Sequence, residues 1–94
     1  MSAVIDTAVV ALTKKVQTFN GVAKFVVKGE GAIMIDETGV RAGDEDADVT
    51  LTASAEVFQA ILEGDMNPTT AFMTGRLSVD GSMGLAMKLA SALG

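Results

Sequence analysis

The sequence predicts an α+β domain: a five-stranded, mostly antiparallel sheet with helices covering one of its faces. Three observations predict it. From Val22 to Ala53 the chain runs through four short stretches that alternate apolar and polar residues, and Leu77-Ser78-Val79 repeats the pattern. Glycine-bearing turns bound the early stretches: Asn20-Gly21 closes the helical segment before them, and Gly29-Glu30-Gly31 and Glu37-Thr38-Gly39 separate the first three. The segments before, between and after the alternating runs carry apolar residues at helical spacing. Each run has one polar side, so helices are expected over the other side alone.

Ser2 to Gln17 predicts the first helix, with Ile5, Ala8, Val9, Leu12 and Val16 on one face. Asp6 stands near its start and Lys14 and Lys15 near its end, where each charge suits the helix dipole. Val22 to Lys28 predicts a strand with Ala23, Phe25 and Val27 pointing one way and Lys24 and Lys28 the other. Ala32 to Asp36 follows with Ile33 and Ile35 on one face, then Val40 to Gly43 with Val40 and Ala42 inward. The loops are short, so these strands should pair antiparallel as a meander. Asp44, Glu45, Asp46 and Asp48 form an acidic run without the spacing, glycine and closing glutamate of an EF-hand, and read as a solvated loop. Asp48 to Ala53 predicts the fourth strand, with Val49, Leu51 and Ala53 inward. Ser54 then caps a second helix whose apolar stripe is Phe58, Ile61 and Leu62 and whose end is Gly64.

The last third is the most informative. Asn67 and Pro68 cap and open a short helix, and Gly75 suits the position just past its end. Leu77 to Val79 gives the fifth strand, and Asp80-Gly81 is expected to turn the chain into a final helix. There Met83, Ala86, Met87, Ala90 and Leu93 make one apolar stripe, and Leu85 and Leu89 a second. Two stripes fit either a helix well buried in a small core, or one stripe on the sheet and the other on a ligand cavity or partner.

Ninety-four residues suffice for one domain, 1–94, and no repeat, linker or low-complexity tract divides them. A chain of this size buries only roughly 60–65% of its unfolded surface, so a large cavity would weaken a modest core. Apolar residues make up 49% of the chain but aromatics only 4%, all Phe. Packing therefore rests on Val, Ile, Leu, Ala and six Met, and Met adapts to irregular space. The net charge is −5 with the cations scattered, which argues against nucleic acid and against strong attachment to anionic membranes. No apolar run approaches the roughly 20 residues that span a bilayer, so no stable membrane insertion is expected. The N-terminus has no basic segment of a secretory signal, and the chain ends Ser91-Ala92-Leu93-Gly94 rather than in a Ser-Lys-Leu address. A cytoplasmic protein is expected.

The chemistry on offer is sparse. There is no Cys and no His, which removes thiol and imidazole nucleophiles, His bases and most zinc sites. No His can activate Ser or Thr, and no Gly-x-Ser-x-Gly elbow is present. Gly29-Glu30-Gly31 lacks the rest of a dinucleotide fingerprint, and Gly81-Ser82-Met83-Gly84 lacks the lysine and spacing of a phosphate loop. No cofactor, no metal and no catalytic residue is expected.

The segments Gly64-Asp65-Met66-Asn67-Pro68, Ala71-Phe72-Met73-Thr74-Gly75-Arg76-Leu77, Val79-Asp80-Gly81-Ser82 and Ala86-Met87-Lys88-Leu89, in this order and spacing, resemble the sterol carrier protein 2 family. The resemblance extends less strictly from about Gly21 to the end. It implies a non-catalytic domain that holds a lipid, or another long apolar molecule, in a cavity between sheet and helices. Fatty acids, acyl-CoAs, sterol-like molecules and isoprenoids are the implied ligand classes. The apolar faces then offer Phe25, Ile33, Ile35, Val49 and Leu51 as the sheet side of that cavity. Phe58, Ile61, Leu62, Phe72, Met73, Met83, Met87 and Leu89 are the helix side. Core packing is at least as strong a reading for each of them. Three functions stand open: a lipid carrier, a lipid-presenting accessory subunit of a lipid- or quinone-metabolising enzyme, and an interaction domain with a filled core. A second copy of the chain or an enzyme is left open as partner.

Overall fold

The computed structural model describes residues 3–16 and 19–93. The elements are α1 (Ala3–Lys15), β1 (Ala23–Val27), β2 (Gly31–Asp36), β3 (Gly39–Ala42), β4 (Val49–Ala53), α2 (Ala55–Glu63), α3 (Pro68–Met73), β5 (Leu77–Gly81) and α4 (Met83–Leu93). Both expected ends of the first helix, residues 2 and 17, lie outside the described residues.

The sheet has five strands in the order β3-β2-β1-β4-β5. The expected meander holds for β1, β2 and β3, which pair antiparallel. β4 leaves it: β4 lies parallel to β1, with Phe25 opposite Leu51, and β5 pairs antiparallel with β4. A sheet that is antiparallel except at β1/β4 results. The parallel pair requires the chain to return from the β3 edge past two strands, and residues 43–48 do this. That return crosses the outer face of the sheet. Asp44 bonds Lys24 Nζ at 2.9 Å, Glu45 stands 3.4 Å from Arg41, and Gly43 closes over Met34. The acidic run is therefore partly engaged in ion pairs, and Met34 is buried on a face that alternation alone would expose.

The inner face carries Ala23, Phe25, Val27, Ile33, Ile35, Val49, Leu51 and Ala53, all buried. The helices lie over it. α1 packs on β3 and β2, α4 on β4 and β5, and α3 on β5. Ile5, Ala8, Leu12 and Val16 of the first helical segment join this core, with Val9 packed at its margin.

Local signals account for most of the boundaries. The Ser54 hydroxyl oxygen accepts from the Val57 N–H at 3.2 Å, and Gly64 ends α2 at φ 82°. Asn67 Oδ1 accepts from the N–H groups of Thr69 and Thr70 at 2.8 and 3.3 Å.

Asp80-Gly81 is a correction. These residues do not turn the chain but complete β5, opposite Thr50 and Val49. Gly81 sits there at φ 104°, where a Cβ would run into the Asp48 carbonyl oxygen and stand 3.1 Å from the Val49 Cα. Close backbone approach, not turn propensity, explains this glycine. The turn falls at Ser82, whose hydroxyl oxygen accepts from the Leu85 N–H at 3.2 Å.

The stripes of α4 are also redrawn. Ala86, Leu89 and Leu93 form the buried line, while Met83 and Met87 are 47% and 54% exposed. Leu85 leans on Gly21, and the Lys88 ammonium stands 5.9 Å from the Phe19 ring centroid. That flank of α4 thus faces the loop after α1. Helical geometry turns the two Met away from it.

Candidate functional site

A hollow of about 410 Å³ opens between α1 and α2. α1 lines it with Ala3, Val4, Thr7, Ala8 and Ala11. α2 lines it with Ala55, Phe58, Gln59, Leu62 and Glu63. Its cause is side-chain size. Ala3, Thr7 and Ala11 recur every fourth residue, so one strip of α1 is small along its length and leaves the space facing α2 unfilled. The large residues of α1, Ile5 and Leu12, are buried in the core instead.

Phe58 is the floor. It is 1% exposed, and its ring tilts against Phe25 of β1 at a centroid distance of 4.4 Å. The hollow is thus separated from the middle of the sheet by one aromatic ring. The polar side chains on its lining are Thr7, Gln59 and Glu63. Gln59 Nε2 donates to Glu63 Oε1 at 3.1 Å, a pairing one helical turn apart. Among the described residues Glu63 is the one charged residue on the lining; Lys14 and Lys15 line an adjoining depression, of about 540 Å³, that shares Thr7 and Ala11 with it. Hydrocarbon walls with a few polar groups at the edge bind by burial and orientation.

The perturbed titratable groups lie elsewhere. The Thr38 hydroxyl and the Arg41 guanidinium, together with the Thr38 N–H, hold the Asp36 carboxyl down at about 2. Asp36 in turn raises Arg41. These contacts, at 2.6, 2.8 and 2.9 Å, clamp the β2–β3 turn. A shifted carboxylate at such a clamp is structural rather than a marker of chemistry.

The structure brings two of the sequence-predicted site residues to this hollow, Phe58 and Leu62. Phe25, Ile33, Ile35, Val49, Leu51, Ile61 and Leu89 are enclosed in the core that backs it. Phe72, Met73, Met83 and Met87 stand on the exposed side of α3 and α4, with Met73 79% exposed. The lining residues that sequence reasoning missed are mainly the small ones. Their signal was the Ala3-Thr7-Ala11 spacing, which an apolar-stripe search passes over because it looks for bulk.

A sheet roofed on one face by helices, with a hydrocarbon-walled hollow between two of them, defines an α+β domain. The chain belongs to the SCP-2 sterol transfer family, whose profile matches residues 5–94. It is 39% identical to hydroxysteroid dehydrogenase-like protein 2 of Xenopus tropicalis over 84% of this chain and 21% of that protein. It is 41% identical to sterol carrier protein 2 of Homo sapiens over 68% of this chain and 11% of that protein. The chain thus spans about a fifth or less of the length of these curated relatives. Among solved structures, sterol carrier protein 2 of Aedes aegypti in complex with the C16 fatty acid palmitate has a TM-score of 0.77 and 22% identity. That likeness covers 99% of this chain and 96% of the other, and it is one of fold. In the described residues no helix is long and apolar enough to cross a membrane.

Proposed function

We infer that residues 1–94 form one lipid-binding unit that carries a long apolar molecule in the cytoplasm and does no chemistry on it. The observation that carries this reading is the hollow between α1 and α2, floored by Phe58, in a chain of the SCP-2 family. The palmitate complex of the Aedes aegypti protein supports it by analogy of fold. Affinity comes from burying chain methylenes at about 0.8 kcal/mol each, so about six of them supply roughly 5 kcal/mol. Phe58 and Leu62 make the first contacts. Displacement of the Phe58 ring from Phe25 then opens the inner sheet face, where Ile33, Ile35, Val49 and Leu51 extend the apolar lining, with Ile61 and Leu89 above them. Phe72, Met73, Met83 and Met87 contribute where α3 and α4 close over a longer chain. Fatty acids, acyl-CoAs, sterol-like molecules and isoprenoids are the candidate cargo.

The test is displacement of a fluorescent lipid from the delipidated protein, with Ala11→Phe as the comparison. The variant places a ring in the hollow, so it should keep the fold and lose at least tenfold in affinity. Failure of every one of these lipid classes to displace the probe overturns the carrier reading and leaves an interaction domain.

A second reading has its own observation. One relative is named as dehydrogenase-like and is about five times longer than the matched segment. The domain then presents its cargo to an enzyme, within one chain or across two. Co-purification of an enzyme that gives way to the isolated domain at equal lipid affinity would favour it.

A further inference from the structure

We propose that α3 and the adjoining flank of α4 dock on the face of a bilayer without net charge, by shallow and reversible insertion of Phe72, Met73, Met83 and Met87. Docking does not require lipid in the hollow, so it goes beyond the carrier reading. These four are exposed, and the other large apolar side chains exposed among the described residues, Val4 and Val10, stand on α1. On α4 the buried line is Ala86, Leu89 and Leu93, and Leu85 and Lys88 lie on the flank by Gly21 and Phe19. At about 100° per residue, Met83 and Met87 fall on the opposite flank. α3 packs on α4 and on β5, the edge strand of the sheet. The exposed apolar side chains of the two helices thus gather at the β5 end of the roof. Such a patch on a small domain marks a contact surface.

The charges are distributed to suit a neutral surface. Residues 66–94 hold two cations, Arg76 and Lys88, against one carboxylate, Asp80, a net +1, whereas residues 1–65 hold five against eleven, a net −6. Asp80 lies opposite Thr50, on the side of the sheet away from Val49 and Leu51 and hence from the helices. Neither α3 nor α4 carries a carboxylate that insertion would strip of water. An anionic bilayer would repel the acidic remainder of the chain, and a neutral one would not. A second copy of the chain fits the patch less well. A stable interface takes about 800 Å² from each partner. Four large side chains of about 200 Å² each, about half exposed, offer roughly half of that. Interfacial docking asks only for apolar area, and flexible Met side chains conform to a fluid surface.

Cosedimentation with sucrose-loaded phosphatidylcholine vesicles tests the proposal. The protein should pellet with the vesicles to the same extent in low and in molar salt, and replacing a third of the lipid by phosphatidylserine should not raise the bound fraction. Met73→Asp and Met87→Asp should each lower the partition coefficient at least about tenfold with the native circular dichroism spectrum kept. Met73→Gln and Met87→Gln, which keep the side-chain length, should lower it less, and they carry the test should an Asp variant fail to fold. Val10→Asp, on α1, should leave partitioning as it is. A parent that stays in the supernatant overturns the proposal, as do folded Met73 and Met87 variants that pellet like the parent, or binding that needs phosphatidylserine and vanishes in salt. A dimer in sedimentation velocity that Met87→Asp splits, with no vesicle binding, overturns it in favour of an interface between copies.

Discussion

The α1–α2 seam and the outer side of α4 are both apolar and both reach solvent, yet the hollow lies at the first. On α1 the strip facing α2 is Ala3, Thr7 and Ala11, and the space their small side chains leave becomes the hollow. On α4 the residues are larger and more hydrophobic. Ala86, Leu89 and Leu93 fill the space above β4 and β5, and the surplus, Met83 and Met87, is turned outward. A hollow in a small domain thus follows from missing volume on a helix that faces another helix. An excess of apolar residues produces an exposed patch.

The comparison breaks most visibly at Leu89. It is fully buried over the sheet. Leu89→Asp should cost more than about 4 kcal/mol, which rivals the whole stability of a domain of this size, about 5–15 kcal/mol. Loss of the native circular dichroism spectrum is the expected result; a folded Leu89→Asp variant would show that α4 does not close on β4 in solution.

Phe58 and Leu62 probe the other seam. Phe58→Ala removes a ring packed on Phe25 and should cost about 3–5 kcal/mol in urea denaturation. Leu62 is half-buried and already borders the hollow, so Leu62→Ala should cost less than about 2 kcal/mol. Equal losses at the two positions would mean that the α1–α2 hollow is closed in solution.

Met83→Asp and Met87→Asp should each lie within about 0.5 kcal/mol of the parent, because both side chains are about half exposed. Affinity should stay the same for a lipid short enough to lie between α1 and α2, and fall only for a chain long enough to reach α4. A folded Met87→Asp variant that no longer binds lipid would move the site to α4.

The strand faces were legible because each alternates apolar and polar residues, and the helix ends were legible at Ser54, Gly64 and Asn67 because capping is local chemistry. The parallel β1–β4 pair was not, since the return through residues 43–48 is set by which strand edge is free and not by any turn signal. Asp80-Gly81 misled for a related reason: the pair looks like a turn, but its glycine answers to the Asp48 and Val49 backbone, which is distant in sequence. The candidate site was half legible. Phe58 and Leu62 stood out as bulk, whereas Ala3, Thr7 and Ala11 matter for the bulk they lack.

The smallest expected effect belongs to the face that neither seam touches, and it serves as the control. Asp36 lies at the β2–β3 turn, bonded to the Thr38 hydroxyl and N–H and to Arg41. These donors hold its pKa at about 2, below the ordinary value of 3.8. Between those values the unfolded chain binds the proton more readily than the folded one, so stability rises with pH across the window. The contribution is complete above a pH of about 4 and is lost as the pH falls through about 2. Asp36→Asn removes the titration, so the variant should melt below the parent at neutral pH and converge with it in acid. Lipid affinity should stay the same in both, since the turn supplies no residue to the α1–α2 lining. Melting curves at neutral pH, near pH 4 and near the folded pKa check this. A gap that persists undiminished into strong acid would show that the Asp36 clamp does not form in solution, and a change in lipid affinity would tie the two faces of the sheet together.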